Sequence, residues 1–505
     1  MPESRDSLLA DCQQLMAAGK WNEARSRLEN AFAAAPADIL IAFTLATACR
    51  LSGMTERATQ LFQAIHSALP DMAEAAIGLA HCLAEAGTTD EAATVLRHYL
   101  VRHPEQASAY GVLAEIWLKS GIFKPVTRTF KEAATLAPTA DNIGNLAESL
   151  SLERSFTAAE QQYQLALAKA PGSAKLRLNY AVHLLTQGKT GDGWKHFEAR
   201  LDPDVADSPV RTLSLPRWNG STPENRHILV VSEQGLGDEI RLAALLPELA
   251  GLARTLTVEC DPRLISLFER SMPDVTFHAF SRIKKSGRGH YAYGWLPRDG
   301  GPDCYIESGS LPLFLGRALS PPENENGFLS PLAKVAELLG QRLRDAAGDR
   351  SLVGVSWASN ARKFGRATNY PPAESWRLLL DLPDTCLVSL HYGAASSAVK
   401  EMEEATGRKI LQLQDLDLRD DLEALAALEA SLDLVLSVGN ATAALAAAVG
   451  TKTLELLSSP GWVPLREERD CFLGATTRLA QRRLGDWTYP VERARELALT
   501  HLQKR

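Results

Sequence analysis

Apolar residues in the first two hundred positions keep the three- and four-residue steps of helices with one buried face, as at Leu79, Leu83, Leu96 and Tyr99. A longer period overlies these steps. Gly19, Gly53, Gly87 and Gly121 recur every 34 residues, as do Pro36, Pro70, Pro104 and Pro138, and so do Ala24, Ala58 and Ala92. A one-residue deletion near Thr139 resets the register, which Ala159, Pro171, Gly188 and Phe197 then continue. Each recurring residue has a mechanical task. The glycine ends the first helix of a pair, where positive φ is needed. The alanine lets the second helix approach closely, and the proline ends it.

From about residue 226 the pattern changes to short apolar runs. HILVVSE (227–233), TLTVEC (255–260) and DVTFHAF (274–280) predict strands. Residues 281–305 hold Gly, Pro, Lys, Arg and Tyr without a period and predict a loop or insertion; 320–330, rich in Pro, Asn and Glu, predicts a linker. A second set of strands follows at SLVGVSWA (351–358), TCLVSLHY (385–392), KILQLQD (409–415), DLVLSV (433–438) and KTLELLS (452–458), with helical runs between them at 419–431 and 441–449. Strands spaced by helices imply parallel sheets covered on both faces. Two such sets in series predict two Rossmann-like domains. Ligands in such sheets sit beyond the carboxyl ends of the strands, which gathers the loops after Ser232, Trp357, His391 and Val438 around one cleft.

The 34-residue helix–turn–helix unit resembles the tetratricopeptide-repeat (TPR) family over about residues 5–200. Five repeats are clear, and a sixth (174–205) is degenerate, with Gly193 where alanine is usual. Such arrays stack into a curved solenoid whose groove binds a protein segment; a spacer or a dimerisation surface is the competing role. Asn145 and Asn179 share one first-helix position. O-linked N-acetylglucosamine transferases, which also carry these repeats, line their groove with asparagines there, so this pair is the candidate acceptor-groove contact. Ala10, Thr44, Gly78 and Val112 at the matching positions interrupt the ladder. The organisation expected is an α-solenoid over 1–205 followed by an α/β module, with Rossmann-like domains over 206–330 and 331–505.

Composition removes some classes of function. Charged residues make up 23% of the chain, with a net charge of −7 and both signs scattered, which argues against a nucleic-acid binder. The seven cysteines are dispersed without metal-ligand spacing and read as reduced thiols of a cytoplasmic protein. The first residues, MPESRDSLLADCQQLM, lack a basic-then-apolar leader, and no apolar run is long enough to span a membrane.

The sharpest local motif is EQGLGDEIRLAALLPEL (233–249). Gly235 and Gly237 let the backbone approach a ligand. Asp238, at a helix start, has two open roles: capping the helix or acting as a base on an acceptor hydroxyl. Together with GWKHFEAR, LPRWNG, VGVSWASN, SLDLVLSV and GDW, in this order, the motif resembles bacterial TPR proteins that end in a glycosyltransferase module similar to the heptosyltransferases, with the GT-B fold. The resemblance implies Asp238 as base, transfer with inversion, and no metal or other cofactor. It implies a nucleotide-sugar donor and a protein acceptor such as a flagellin. The candidate donor contacts are Trp357, Asn360, Arg362, Lys363, Arg366, His391 and the loop Asn440, Ala441 and Thr442. In that loop Gly439 and Ala444 replace the family's Asp and His, while backbone N–H donors are kept. Arg362, Lys363 and Arg366 suit phosphate, with a solvated basic loop as the alternative. The ring of Tyr392 suits a base, with plain half-burial as its alternative. Asp415 and Asp417 form a DxD string that reads better as the lead-in to a surface helix. An inactive scaffold that binds partners, and a transferase acting on a glycan or lipid, remain open beside protein glycosylation.

Overall fold

A computed structural model of the chain describes residues 4–206, 208–233, 235–285, 288–297, 299–316, 322, 325–358, 369–392, 395–466 and 468–503. These fall into two compact units: one holds 4–151 and 155–171, the other 152–154 and the described residues from 172 on that surround the sheets. The first unit is a run of paired helices: α1 (Arg5–Ala17), α2 (Trp21–Ala34), α3 (Ile39–Leu51), α4 (Thr55–Ala68), α5 (Ala73–Glu85), α6 (Thr89–Arg102), α7 (Ala107–Lys119), α8 (Val126–Leu136), α9 (Ala140–Leu152) and α10 (Phe156–Lys169). The glycine rule holds in the backbone, with φ of 73°, 80°, 89° and 80° at Gly19, Gly53, Gly87 and Gly121. In the fifth repeat Arg154 takes the same left-handed conformation, φ 61°, without glycine's freedom. Ala24, Ala58 and Ala92 are fully buried where the paired helices touch. Gly78 interrupts the asparagine position for a steric reason: a Cβ there would lie 2.4 Å from the ring of Phe62.

The second unit opens with one more helix pair, α11 (Ala174–Thr186) and α12 (Thr190–Phe197). The unusual Gly193 is explained by Leu185, whose Cδ2 would lie 2.7 Å from an added Cβ. The first lobe contains β1 (Val210–Arg211), β2 (His227–Val231), α13 (Leu236–Ala243), α14 (Leu246–Leu252), β3 (Thr255–Cys260), α15 (Ile265–Ser271), β4 (Thr276–Ala279), β5 (Ser281–Lys285), β6 (Arg288–Ala292), β7 (Cys304–Glu307) and α16 (Leu311–Phe314). Its main sheet is parallel in the order β4-β3-β2-β7. The stretch 281–305, expected to be irregular, instead contains strands. β5 and β6 form an antiparallel hairpin, with β1 parallel beside β6, and β7 joins the main sheet. Every residue of β5 is exposed, so no alternation of polar and apolar residues marks it as a strand.

The second lobe contains α17 (Ala333–Ala347), β8 (Ser351–Ser356), α18 (Ala373–Leu380), β9 (Thr385–Ser389), α19 (Ala395–Thr406), β10 (Ile410–Leu411), α20 (Leu422–Glu429), β11 (Leu434–Val438), α21 (Ala441–Ala448), β12 (Thr453–Leu457), β13 (Leu465–Arg466), β14 (Arg469–Asp470), β15 (Thr476–Ala480) and α22 (Thr488–Leu502). Its sheet runs β10-β9-β8-β11-β12-β15-β14-β13, parallel as far as β15 and antiparallel beyond. Both lobes are thus Rossmann-like, following a helical-repeat array, as the alternation in the sequence predicts. Among the described residues no helix is long and apolar enough to cross a membrane. All seven cysteines are buried, and none is joined to another in a disulfide.

One buried charge stands apart from every network. Glu429, the last residue of α20, is 0% exposed, and among the described residues neither carboxylate oxygen has a hydrogen-bond partner. Burial holds its pKa well above the usual carboxylate range. Above the ordinary glutamate range the unfolded chain releases this proton while the folded chain keeps it. Stability therefore falls as pH rises from that range towards the folded pKa. Glu429→Met removes both oxygens at similar length. It is predicted to raise the melting temperature by several degrees at about pH 8 and by less at about pH 5, in thermal scans followed by circular dichroism.

Candidate functional site

The loop after β2 leads through Gly235, the N-cap of α13, into the first turn of that helix. Gly237 is needed there by contact. A Cβ on it would lie 3.2 Å from Ala441 Cα, 3.3 Å from Ala441 N and 3.4 Å from Asn440 O, all backbone atoms at the start of α21. The first turns of α13 and α21, one from each lobe, therefore lie against each other. Leu236 and Ile240, one turn apart, face a cleft of about 540 Å³. Arg263 completes the first lobe's side, and Tyr392, Leu418, Arg419, Leu422, Leu425, Ala441, Thr442 and Leu445 form the other.

The start of α21 is held by one side chain. Asn440 Oδ1 accepts from Ala443 N at 3.0 Å and from Ser437 Oγ at 3.2 Å, and its Nδ2 donates to Ser356 Oγ at 2.9 Å. The Asn440 amide is thus occupied in capping the helix and tying it to the end of β8. Helix geometry leaves the N–H groups of Ala441 and Thr442 without intrahelical acceptors, and both residues line the cleft. Gly439 is crowded: a Cβ there would meet Leu457 Cδ2 at 2.7 Å and Glu455 Oε1 at 3.5 Å.

Trp357 and His391 are buried in a stack with ring centroids 4.8 Å apart and planes at 9°. Tyr392 follows His391 at 6.2 Å and 21°, and its half-buried side chain reaches the cleft that the first two do not line. Arg263 is held by Asp261 at 2.9 and 2.8 Å and donates to the Arg419 carbonyl at 3.0 Å. The hydrogen bond to Asp261 raises its pKa. Neither arginine carries a local signal in the sequence, where each is one arginine among many. Asn360, Arg362, Lys363 and Arg366 lie outside the described residues. Asp415 takes a bidentate pair from Arg342 at 2.6 and 2.7 Å, and Asp417 closes a turn onto the N–H groups of Arg419 and Asp420. Asn145 and Asn179 are half-buried on α9 and α11.

Asp238 lies two residues from Leu236 and from Ile240, hence about 200° round α13 from the cleft wall. There its side chain is half-buried. Burial raises its pKa, against the opposing pull of Arg241 and Arg478. Arg241, three residues on, crosses to the second lobe. Its Nε donates to Asp470 at 2.9 Å, and its Nη2 donates to both oxygens of Glu455 at 2.9 and 3.1 Å. Arg478 Nε completes the cluster at 2.6 Å from Glu455. All four side chains are buried. Burial alone would lower the pKa of Arg241, but Glu455 and Asp470 overcome it and hold the guanidinium charged.

Two more buried acids stand at the carboxyl edge of the first sheet. Glu239 accepts from Ser232 Oγ at 2.7 Å and from Asp261 N at 2.6 Å, and burial brings its pKa to about 7. Glu259, on β3, is likewise brought to about 7 by burial, against the pull of Arg211. The legible signal of Glu259 is a lone acid within the strand run TLTVEC.

Residues 50–116 match the family described as tetratricopeptide repeat. Protein FlbA of Caulobacter vibrioides is 31% identical over 424 residues, a match that covers 82% of this chain and 71% of FlbA. Among solved structures, a glycosyl transferase family 9 protein from Veillonella parvula is 14% identical with a TM-score of 0.39, covering 56% of this chain and 98% of its own. A thermophilic TPR protein of Thermus thermophilus is 23% identical with a TM-score of 0.33, covering 36% and 100%.

The ionic cluster generates a stability prediction. Arg241→Met leaves Glu455 and Asp470 to share Arg478, and is expected to cost about 3–5 kcal/mol in denaturant unfolding. The double change Arg241→Met with Glu455→Leu is expected to recover a large part of that loss. A single-variant loss below about 1 kcal/mol contradicts this account of the cluster.

Proposed function

The chain belongs to the family of protein FlbA, and on that premise we propose that its α/β module is a glycosyltransferase, moving a sugar from a nucleotide-sugar to a hydroxyl of a protein presented by the repeats. One observation carries the reading: the first turns of α13 and α21 meet through Gly237 and Ala441 in the wall of a single cleft. Each helix start brings partial positive charge and unsatisfied N–H donors, a setting suited to a diphosphate. Arg263 and Arg419 add cationic charge at the same cleft, and Tyr392 offers a ring for the base. Leaving-group charge would then be stabilised by backbone dipoles and guanidinium groups, without a metal.

Asp238 is the base that the resemblance implies, and burial raises its pKa, as a proton acceptor needs. Displacement with inversion needs the base and the leaving phosphate on opposite sides of the sugar carbon. Because its carboxylate faces away from the cleft wall, Asp238 reaches a sugar held in the cleft only if its side chain or α13 turns. A flagellin is the acceptor class that the resemblance implies.

A scaffold without catalysis is the second reading, favoured by Gly439. The Asp usual there has no room beside Leu457, and the neighbouring Glu455 carboxylate is committed to Arg241 and Arg478.

Titration calorimetry against a panel of nucleotide-sugars tests the first reading, with binding of at least one expected and heat from none favouring the scaffold. Tyr392→Ala is expected to weaken that binding about tenfold, the loss of one ring–base stack. Asp238→Asn is expected to bind the donor unchanged and to lose transfer by about a hundredfold or more. Undiminished turnover in Asp238→Asn would remove that residue from the chemistry.

A further inference from the structure

The strings GWKHFEAR, LPRWNG and EQGLGD stand apart along the chain, yet their charged residues meet. Arg200 ends the first string, on the single turn Glu198–Leu201 that continues α12. Its Nη2 donates to Glu233 Oε1 at 2.6 Å and to Ser310 Oγ at 2.8 Å, and its Nε donates to the same Glu233 oxygen at 3.2 Å. Its Nη1 donates to Glu198 Oε1 at 2.9 Å and to the Phe197 carbonyl at 3.2 Å. Glu233, the first residue of the glycine-turn motif, also accepts from the Gly309 N–H at 2.7 Å. Residue 309 must be glycine, because a Cβ there would lie 2.5 Å from that Glu233 oxygen and 3.0 Å from Arg200 Nε. Arg217, from the second string, bridges Glu307 at 2.6 Å and Glu198 at 2.5 Å. The side chains of Arg200 and Glu233 are only 7% and 2% exposed, so water does little to screen the pair.

We propose that Arg200 is a positioning residue for the candidate donor site: its bonds to Glu233 set where the chain leaves β2 and so where α13 begins, with the end of α12 as the support. The consequence for the donor rests on the glycosyltransferase reading, but the link itself does not.

The glycine turn needs an outside hold. Gly235 and Gly237 give it wide backbone freedom, which has to be lost before α13 can start in one place. Ser232 is fastened at the end of the strand, where its N–H donates to Glu259 at 3.3 Å and its carbonyl accepts from Arg211. Glu233 carries the hold one residue further. Arg241 fixes the body of α13 against the second lobe. A helix held there alone could still shift its first turn, and with it Leu236 in the cleft wall. The charge balance explains why loss of Arg200 would reach the turn. Glu198, Glu233 and Glu307 share Arg200 and Arg217. Without Arg200 the acids are undercompensated in a buried place. Glu198 sits on a helical turn and Glu307 on β7, whereas Glu233 sits on a loop and can swing outwards.

The test is hydrogen exchange of the full chain, followed by mass spectrometry over residues 235–243. In Arg200→Met this segment is expected to exchange about tenfold faster, as a locally loosened helix start does. Glu233→Gln is the milder variant and serves if Arg200→Met does not fold. It keeps an oxygen for the Gly309 N–H, loses the charge that holds Arg200, and is expected to quicken the same segment by about threefold. The double variant is expected to exchange no faster than Arg200→Met alone, because both changes break one link. Phe277→Leu, a buried change on β4 at the far edge of the sheet, is the control for general loss of stability and is expected to leave the segment unchanged. An unchanged segment in Arg200→Met and Glu233→Gln, or equal quickening in Phe277→Leu, overturns the positioning role. Additive effects in the double variant overturn the Arg200–Glu233 bond as the link. Nucleotide-sugar affinity, by calorimetry, is expected to fall about tenfold in Glu233→Gln; an unchanged affinity beside faster exchange overturns the consequence for the donor. Failure of the glycosyltransferase reading would appear instead as absent nucleotide-sugar binding in the unaltered chain, with the exchange results intact.

Discussion

Arg241 leaves the first lobe and enters the second between Glu455 and Asp470, where Arg478 completes a buried cluster of two cations and two anions. Removing any one member would leave a charge in the interior without compensation, so the four side chains act as a unit. Because Arg241 belongs to α13, the cluster fixes that helix against the second lobe. With α13 fixed, Gly237 is pressed onto Ala441, Leu236 and Ile240 form one wall of the cleft, and Asp238 is turned to the other side. Each feature of the candidate site is a consequence of where one guanidinium is held.

This constraint also gives a physical reason for Gly439 and Ala444 in the loop that leads into α21. Glu455 lies close to Gly439 and is already paired with both arginines. A second carboxylate beside it would add a buried like charge and a steric clash with Leu457. Glycine at 439 and alanine at 444 are therefore consistent with a helix start that offers backbone donors alone, its own cap being Asn440.

The parts of the fold legible in the sequence are those written in local sterics. Glycine at positive φ, alanine between close helices and proline at helix ends repeat at a fixed interval and mark the repeats. Apolar runs such as HILVVSE and DLVLSV mark the central strands, because both faces of those strands are covered. The β5–β6 hairpin was hidden because β5 is exposed on both sides. The short β13 and β14 carry too few residues for a pattern. At the site, the glycine turn and the 440–442 loop could be found from local motifs. The partners that place them could not: Arg241 meets residues more than two hundred positions away, and only the oddity of Glu455 and Arg478 inside buried strands hints at a buried ion pair.

The central claim is that the apposed starts of α13 and α21 receive the phosphates of a nucleotide-sugar. Its most direct test is a crystal structure of the full chain grown with a nucleoside diphosphate. The account predicts phosphate oxygens within hydrogen-bonding distance of the N–H groups of Ala441 and Thr442, with the base against Tyr392. Phosphates seated elsewhere on the molecule, or a cleft left empty at saturating nucleotide, would contradict it.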